Sequence, residues 1–328
     1  AVDEYIYMAI RRGGMQTPTA ASDVFSIDTK GSSAPYFDSN HIVDMALVKS
    51  AGATGDWYNY ARLMGEKYLK TNASSAEASA SEAGFDFMDG HIDADWGGTN
   101  AHSWMWKRAR GYFDVVTYTG NGVQGHNITH NLGVAPDMMW VKQRSTSFIN
   151  GDWKVYVSGI THQSVYGSDP DSYGSNPAAF NLNDTSAAQF SSSGNWDHTH
   201  PTSSVFRVGD TYHTNRNGDP YIAYLFATLD GVSKVGSFSH TNGSGDTNVD
   251  CGFSSGARFV LYKQADSTGS WYLLDSVRGI VAGNDPALLL NSTAAEDSSY
   301  DQIDPLSSGF TIPSAGVGTG VYIFYAIA

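Results

Sequence analysis

One short acidic segment contains the residues best suited to binding a metal. Residues 85–98, FDFMDGHIDADWGG, contain Asp89, Asp93 and Asp95 close to glycine. Carboxylate oxygens clustered in a loop are the hard ligands that Ca²⁺ takes, although the spacing matches no EF-hand. The segment therefore gives two hypotheses, a Ca²⁺ site built from these three carboxylates or an ordinary solvated acidic loop.

Two histidines form a second candidate metal site. His198 and His200 lie two residues apart in NWDHTHPTSS, and two such side chains share one face if the chain is extended. In a threefold fibre, one such pair from every chain could hold a metal ion on the axis. Polar loop residues are the alternative interpretation, because the sequence offers no groups that would orient the two rings.

Catalytic chemistry has little support in the sequence. There is no P-loop and no H-E-x-x-H pair. Cys251 is the single cysteine, and its position beside Gly252 and Phe253 predicts a small buried hydrophobic residue. A glycosidase would need two carboxylates flanking a sugar, and no such pair stands out. We therefore predict that the chain is not an enzyme and that it has no cofactor, apart from the two metal hypotheses.

The composition indicates an all-β protein with an acidic surface. Charged residues are only 16% of 328, while Gly numbers 35 and Tyr 19, which is typical of short strands joined by turns. The net charge of -14 disfavours binding to nucleic acid or anionic lipid. It is compatible with neutral sugars or Ca²⁺-assisted contacts. No apolar run approaches ~20 residues, so we predict no membrane insertion.

The elements that would position these residues recur along the chain. A strand ending in lysine, a loop rich in Gly, Ser and Thr, and a strand opened by tryptophan occur three times in the same order. The lysines are Lys49, Lys142 and Lys263, and the tryptophans are Trp57, Trp153 and Trp271. Because each copy would need the same buried aromatic residue, we predict a core role for the three tryptophans.

An asparagine and a phenylalanine also recur at fixed places in the three copies. An asparagine recurs as a predicted turn residue at Asn72, Asn183 and Asn291. A phenylalanine recurs in what we predict to be one equivalent strand, at Phe85, Phe206 and Phe310. Residues 57–71, WYNYARLMGEKYLKT, resemble a helix in isolation. The aligned segments are rich in β-formers, so we predict a strand followed by a loop.

The repeat divides the chain into three modules and a leading strand. We predict that residues 1–14 are the closing strand of a truncated upstream repeat, so that the chain is the C-terminal part of a longer protein. Residues 15–111, 112–231 and 232–328 would be three β repeats, the first divergent and the second extended by loop inserts. Each has the strand spacing of a β-sandwich or a β-prism sector, and we expect the three to pack as one rigid unit.

Aromatic residues outside the repeated register are candidates for sugar binding. Exposed rings can stack on a sugar, and loops displayed on a rigid scaffold commonly carry recognition. The candidates lie in or near the inserts of the second repeat and are Tyr166, Tyr173, Trp196 and Tyr212.

Several segments resemble a known type of repeat module. The closing strands YIYMAIRR and YIAYLFA, the stretches HNLGVAPDMMWVK and DSVRGIVAGNDPALLLNSTAAE, and the terminal AIA are similar to a module of virion-associated proteins of tailed bacteriophages, largely marine and environmental. Such proteins are described as tail fibres or other structural appendages. The resemblance is strongest over residues 112–328 and weaker over 15–111.

The resemblance implies a structural or host-recognition role and brings no catalytic residues with it. We expect an adhesive component of a tail fibre or spike, made in the host cytoplasm and located on the virion surface. It would form a homo-oligomer, with a trimer favoured, and contact other virion proteins and host surface polysaccharide. The alternatives are a capsid or tail decoration with a purely architectural role and a tailspike-like glycan depolymerase.

Overall fold

The computed structural model describes residues 14–80, 83–93, 100–145, 151–167, 176–190 and 194–328. Its regular structure is almost entirely antiparallel β-sheet, with 39% strand and 6% helix, which confirms the predicted all-β class. The leading strand predicted over residues 1–14 falls outside the described residues except for Gly14.

The first part of the chain forms one large and one small sheet. Its 3-10 turns are Ala21–Asp23 and Arg62–Met64, and its strands are β1 (Phe25–Thr29), β2 (Phe37–Asp38), β3 (Met45–Ser50), β4 (Tyr58–Ala61), β5 (Lys67–Lys70), β6 (Ala78–Ser79), β7 (Ala83–Gly84), β8 (Gly90–Asp93) and β9 (Ala101–Trp106). The first large sheet has the strand order β1-β9-β3-β4-β5-β6, and the first small sheet has the order β2-β8-β7.

The second part repeats this division and adds two short helices, α1 (His162–Tyr166) and α2 (Tyr212–Asn215). Its strands are β10 (Phe113–Thr119), β11 (His126–Thr129), β12 (Met138–Gln143), β13 (Lys154–Val157), β14 (Ala179–Asn181), β15 (Val205–Val208) and β16 (Pro220–Phe226). The second large sheet has the order β10-β16-β12-β13-β14, and the second small sheet pairs β11 with β15. Over the described residues, neither helix nor any other has the length and hydropathy needed to cross a bilayer.

The third part has a large sheet of five strands and a small sheet of three. Its strands are β17 (Ser233–His240), β18 (Thr247–Asp250), β19 (Phe259–Gln264), β20 (Tyr272–Asp275), β21 (Leu288–Leu289), β22 (Asp304–Leu306), β23 (Gly309–Ile312) and β24 (Gly320–Ile327). The third large sheet has the order β17-β24-β19-β20-β21, and the third small sheet has the order β18-β23-β22. When strands are counted within their own part of the chain, all three large sheets begin in the same order: the first strand, the last, the third, the fourth and the fifth.

Each large sheet is buried on both faces. In β12, Met138 and Trp140 pack into a core shared with the other large sheets, whereas Met139 and Val141 pack against the second small sheet. Successive side chains of a strand point to opposite faces, so a strand covered on both sides must be apolar at nearly every position. This explains the uninterrupted burial of MMWVKQ.

A single central core joins the three large sheets. Phe25 of the first sheet lies 5.4 Å from Phe259 of the third, measured between ring centroids. Phe226 of the second sheet lies 5.0 Å from Tyr325 of the third. The core cluster contains buried residues from all three large sheets, while each small sheet covers a separate outer core. The inner faces of the sheets thus depend on one another for burial.

Three tryptophans hold equivalent positions in this arrangement. Trp57, Trp153 and Trp271 are fully buried, which confirms the predicted core role. Each backbone N–H donates to the side-chain oxygen of the recurring asparagine, at 2.9 Å to Asn72, 2.9 Å to Asn183 and 2.8 Å to Asn291. The asparagine side chain therefore fixes the start of the tryptophan strand in each sheet.

The indole N–H of each tryptophan bonds to a neighbouring large sheet. Trp57 Nε1 donates to the carbonyl of Leu289 in the third sheet at 2.9 Å. Trp271 Nε1 donates to Asn181 in the second sheet at 2.8 Å, and Trp153 Nε1 donates to Lys70 in the first sheet at 2.8 Å. Each accepting residue precedes the recurring asparagine by two positions. The three bonds run from first to third, third to second and second to first, and so form a closed cycle.

The recurring lysines lie at the same boundaries. Lys49 Nζ donates to the carbonyl of Thr293 at 3.1 Å, and Lys142 Nζ donates to that of Ser74 at 3.2 Å, each in a loop that follows a strand of a neighbouring large sheet. Burial lowers the pKa of Lys142 to about 7 and that of Lys49 and Lys263 to about 8. The ammonium groups therefore serve as buried donors to loop carbonyls and are poorly placed to contact solvent ligands.

Two details of the predicted register are wrong. Residues 58–70 form strand β4, a 3-10 turn and strand β5, so the segment predicted as a loop after the first strand contains a second strand. Phe85 lies outside any strand, whereas Phe206 and Phe310 pair with Ile128 and Val249. In the first small sheet, His91 takes the place of Phe206 and Phe310, and it pairs with Phe37. The connection between β7 and β8 is longer than the equivalent connection between β22 and β23, so Phe85 falls in a loop, although it remains buried in the outer core.

Candidate ligand-binding pocket

The third large sheet carries a cavity of about 670 Å³ beside β19, β20 and β24. We call it the tyrosine pocket, and its walls include Tyr262, Tyr272, Tyr300, Tyr322, Gln264 and Gln302. Small-molecule sites are concave and mostly apolar, with a few polar groups that fix orientation. The volume and the mixture of aromatic rings with amides meet that description.

The inner wall of the pocket is a fixed stack of aromatic rings. Tyr262 and Tyr272 face each other across β19 and β20, with centroids 5.2 Å apart and planes inclined by only 10°. Tyr322 of β24 meets Tyr262 at 6.2 Å in a tilted arrangement and is itself stacked on Phe238 at 5.2 Å. Packing on both sides holds these rings in place, so they form a preorganised surface.

Tyr300 lies on the outer wall and differs in exposure from the other three tyrosines. Its side chain is 62% exposed, whereas Tyr262 is fully buried. Tyr300 follows a loop that also contributes Asp297 and Ala295 to the pocket. An exposed aromatic ring at the edge of a cavity is suited to stack on a flat apolar face of a ligand.

Amide groups supply the polar part of the pocket. Tyr262 Oη donates to Gln302 Oε1, which leaves the Gln302 amide nitrogen as the donor of that side chain. Gln264 Nε2 donates to Asp266 Oδ1 at 2.9 Å. Asn242 Nδ2 donates to the carbonyl of Val317 at 2.9 Å, and Tyr322 Oη donates to that of Gly318 at 2.9 Å. These last two bonds hold the loop around residues 315–318 against the pocket.

The phenol groups of Tyr262, Tyr272 and Tyr322 stay protonated over the ordinary pH range, because burial raises the pKa of each. Burial raises the pKa of Tyr322 to about 12 and holds that of Tyr262 well above its usual value. Burial also raises the pKa of Tyr272, with smaller contributions from Tyr300 and Asp297 nearby. The hydroxyl groups therefore act as neutral donors and acceptors, as recognition of sugar hydroxyls requires.

The shared architecture does not require these tyrosines. The position of Tyr262 is occupied by Val141 in the second large sheet, and that of Tyr272 is occupied by Lys154. The second sheet forms the same strand pairs with those residues. The first large sheet pairs Val48 with Tyr58 at the same register. The stacked pair of tyrosines is therefore found in the third sheet and in neither of the others, which favours a role in binding over a role in folding.

The structure separates the four aromatic residues predicted to contact glycan. Tyr166 ends α1, is 42% exposed, and packs on His162 and Phe190, with centroids 4.9 and 6.1 Å away. Tyr212 begins α2 and is 39% exposed. Tyr173 lies outside the described residues. Neither Tyr166 nor Tyr212 is among the residues that line the tyrosine pocket.

The prediction of Trp196 as a sugar-stacking residue is wrong. Its side chain is 1% exposed and belongs to the outer core of the second large sheet. Its indole Nε1 donates to the carbonyl of Ala178 at 3.1 Å, and its ring meets that of Tyr156 edge-on at 5.9 Å. The tryptophan stands outside the repeated register because it fills an extra volume in the second outer core.

The predicted metal ligands do not come together in the described part of the chain. Asp89 is exposed, while Asp95 and the side chain of Asp93 lie outside the described residues. Asp197 and His198 have φ of 48° and 53°, so the extended conformation assumed for His198 and His200 is wrong. His200 Nδ1 instead pairs with Tyr156 Oη at 2.9 Å. Among the described residues, no three acidic, histidine or cysteine side chains are grouped as metal ligands would be.

Two residues with nucleophilic potential lie in settings that suppress it. Cys251 is buried, as predicted, and burial raises the pKa of its thiol to about 12. The run GFSSG, Gly252–Gly256, has the residue types of a G-x-S-x-G elbow around Ser254. It lies between strands β18 and β19, however, whereas the elbow needs a strand followed by a helix.

The tyrosine pocket was not predicted, because only aromatic residues outside the repeated register were considered as sugar-binding candidates. Tyr262, Tyr272 and Tyr322 lie in strands of the register, where aromatic residues were attributed to the core. The available signal was the difference between copies, since Val141 and Lys154 stand where the third copy has two tyrosines. A position that is aromatic in one copy and charged in another is not fixed by packing.

Comparison with known families gives one match. A family model described as a domain of unknown function, DUF7483, matches residues 64–328. The chain belongs to this family. The DUF7483 match begins in the 3-10 turn after β4 and includes the second and third large sheets with the tyrosine pocket. No curated protein matches the chain.

Proposed function

We propose that this DUF7483 protein is a structural and adhesive module that binds glycan in its tyrosine pocket. The observation that carries the proposal is the stacked pair Tyr262 and Tyr272, joined at the pocket by Tyr300, Tyr322 and the amide of Gln302. Aromatic rings cover the apolar faces of a sugar, and amides and phenols bond its hydroxyls. The ligand would be bound and released without chemical change.

The resemblance of the sequence to repeat modules of tailed-phage virion proteins supports a biological setting for this activity. The chain would belong to a tail fibre or spike on the virion surface and contact host surface polysaccharide. Oligomerisation, with a trimer favoured, would convert weak single-site binding into useful avidity. Immunogold labelling of intact particles tests this setting, and labelling of the capsid in place of the tail would contradict it.

A purely architectural role is the second candidate, and the shared central core favours it. Three buried tryptophans, each bonded to a neighbouring sheet, give a rigid body that needs no ligand to be useful in a particle. Decoration of a capsid or tail would depend on that rigidity alone. A glycan depolymerase has less support, because Asp297 is the one carboxylate among the described residues that line the pocket.

The test compares pocket variants with matched controls. Tyr272→Ala removes half of the aromatic stack, and Tyr300→Ala removes the exposed ring. Tyr58→Ala is the control for the first, since Tyr58 holds the same register in the first large sheet and lies outside the pocket. Tyr166→Ala is the control for the second, because its exposure is similar.

Binding to whole host cells and to their isolated surface glycan is then measured for all four variants. Each pocket variant should bind roughly tenfold or more weakly, as expected for loss of an aromatic contact. Thermal unfolding of Tyr300→Ala should match that of the wild type. Unchanged binding by both pocket variants would contradict the proposal, and loss of binding by the controls would assign it to another surface.

A further inference from the structure

The walls of the tyrosine pocket contain aromatic, amide and small apolar groups without a basic side chain. Its lining, which lies wholly in the described third part of the chain, includes neither lysine nor arginine. An anionic sugar carries a carboxylate, sulfate or phosphate that proteins recognise chiefly through arginine or lysine. The groups needed for that recognition are missing from this lining.

Carboxylates are the charged groups at the pocket surface, whereas Lys263 is fully buried and its Nζ donates to the carbonyl of the lining residue Gly269. Asp297 is part of the wall, and its carboxylate lies close enough to Tyr272 to raise the pKa of that phenol. Asp266 lies behind Gln264, to which it is bonded. With a net charge of -14 for the whole chain, an anionic ligand would meet repulsion both at a distance and at the site.

Small residues form the remaining wall. Ala287, Ala294, Ala295, Ala315 and Gly316 border the pocket opposite polar side chains of Gln264 and Gln302. Methyl-sized groups leave room near the rings and offer apolar contact. An uncharged substituent of a sugar ring, such as a hydroxymethyl or an acetamido group, can be accommodated beside them at little desolvation cost.

We infer that the pocket selects uncharged sugar residues and rejects anionic ones. The inference rests on the proposed function and specifies its ligand class. Recognition would come from stacking on Tyr300 and Tyr272 and from neutral hydrogen bonds of Gln302 and the phenols. Because no ion pair contributes, the affinity should be nearly independent of salt.

The test uses the full chain and two matched sets of soluble polysaccharides. The uncharged set is dextran, galactomannan and N-acetylglucosamine oligomers, and the anionic set is dextran sulfate, alginate and hyaluronate. Binding is measured by calorimetry or biolayer interferometry at about 50 mM and about 500 mM NaCl. Tyr300→Ala serves as the pocket variant, Tyr166→Ala as its control, and Asp297→Lys as a variant with reversed charge at the wall.

The expected result is binding to at least one uncharged polysaccharide, altered less than about twofold by salt and weakened roughly tenfold by Tyr300→Ala. Asp297→Lys should gain affinity for anionic polysaccharides at low salt. Salt-sensitive binding of the wild type to an anionic polysaccharide, lost in Tyr300→Ala, would overturn the inference while leaving glycan binding in place. Absence of binding to every sugar and to host glycan would overturn both.

Discussion

Single side chains join the large sheets to one another at defined points. Trp153 belongs to the second large sheet, yet its indole Nε1 bonds to the carbonyl of Lys70 in the first. Replacing this fully buried indole by a smaller ring removes its bond to the Lys70 carbonyl and leaves a small cavity. The contribution of such a tryptophan to the free energy of unfolding can therefore be measured by replacing the indole with a phenyl ring.

We expect Trp153→Phe to lower the free energy of unfolding by about 1–3 kcal/mol, from the lost hydrogen bond and lost volume. Trp57→Phe and Trp271→Phe should have similar effects, because their bonds differ by only 0.1 Å in length. Chemical denaturation of the three variants provides the measurement. A negligible effect in any one of them would contradict the equivalence of the three positions.

His91 makes the fold sensitive to acid at one residue of the first outer core. It is buried, stacked on Phe37 at 5.1 Å, and its Nε2 pairs with Ser103 Oγ at 2.8 Å. Burial lowers its pKa from 6.5 to about 4. Between these two pH values the unfolded chain binds a proton that the folded chain does not, so stability is lost as the pH falls.

The difference in unfolding free energy between the wild type and His91→Gln should narrow on acidification from pH 6.5 to about 4.5, by on the order of 1–3 kcal/mol. Urea denaturation at both pH values measures it. Ile128→Val, in the second outer core, is the control and should show a constant difference, because neither side chain takes up a proton. A constant difference for His91→Gln would show that the ring binds protons equally in the folded and unfolded chains, and would contradict the lowered pKa.

At the scale of the elements, close pairing of strands in the small sheets depends on glycine. A Cβ at Gly309 would lie 2.1 Å from the carbonyl oxygen of Val249, across the β18–β23 pair. Gly90 has the same relation to Phe37 across β2 and β8, at 2.2 Å. The second small sheet has Val205 at the equivalent position, so the close contact between this position and the carbonyl of the paired strand occurs in the first and third small sheets.

Gly309→Ala should destabilise the protein by several kcal/mol, because the obstructing atom is backbone and can move only if the strand pair opens. Gly55→Ala is the control, since a Cβ there would meet nothing within 4 Å. Thermal unfolding of both variants measures the difference. If Gly309→Ala melts within a few degrees of the control, the β18–β23 pair is more adaptable than its geometry indicates.

The all-β class and the burial of the three tryptophans could be predicted from the sequence, because both follow from composition and recurrence. The location of Phe85 outside any strand and the burial of Trp196 could not be predicted from the sequence. The connection between β7 and β8 is longer than that between β22 and β23 and shifts the register locally, and the extra volume filled by Trp196 is created by residues distant in sequence. The tyrosine pocket could not be predicted for a similar reason. Tyr300 and Tyr272 line one cavity only after the loop between β21 and β22 has folded over β20.

At the scale of the whole molecule, the central core makes the three large sheets one cooperative unit. Each inner face is buried only because the other two sheets cover it, and bonds from the tryptophans cross every boundary. A sheet that detached would expose its own face and those of its neighbours. Partial unfolding would therefore cost nearly as much as complete unfolding.

We expect a single unfolding transition despite the length of 328 residues. Far-UV circular dichroism and tryptophan fluorescence should give the same urea midpoint, since both report loss of the same core. Separate midpoints, or a plateau between two transitions, would contradict the shared core. Each variant at a tryptophan boundary should shift both probes together.

The cycle of tryptophan bonds also limits how such a protein can evolve in size. In open arrays of repeats, every copy contacts only its neighbours, so copies can be gained or lost at an end. Here the third sheet bonds back to the first through Leu289 and Trp57, so that among the described residues each large sheet gives one indole bond and receives one. Removal of one large sheet would break two of these three bonds. Changes that keep the cycle intact are therefore confined to single strands and loops, as at Tyr262 and Tyr272, where the second sheet has Val141 and Lys154.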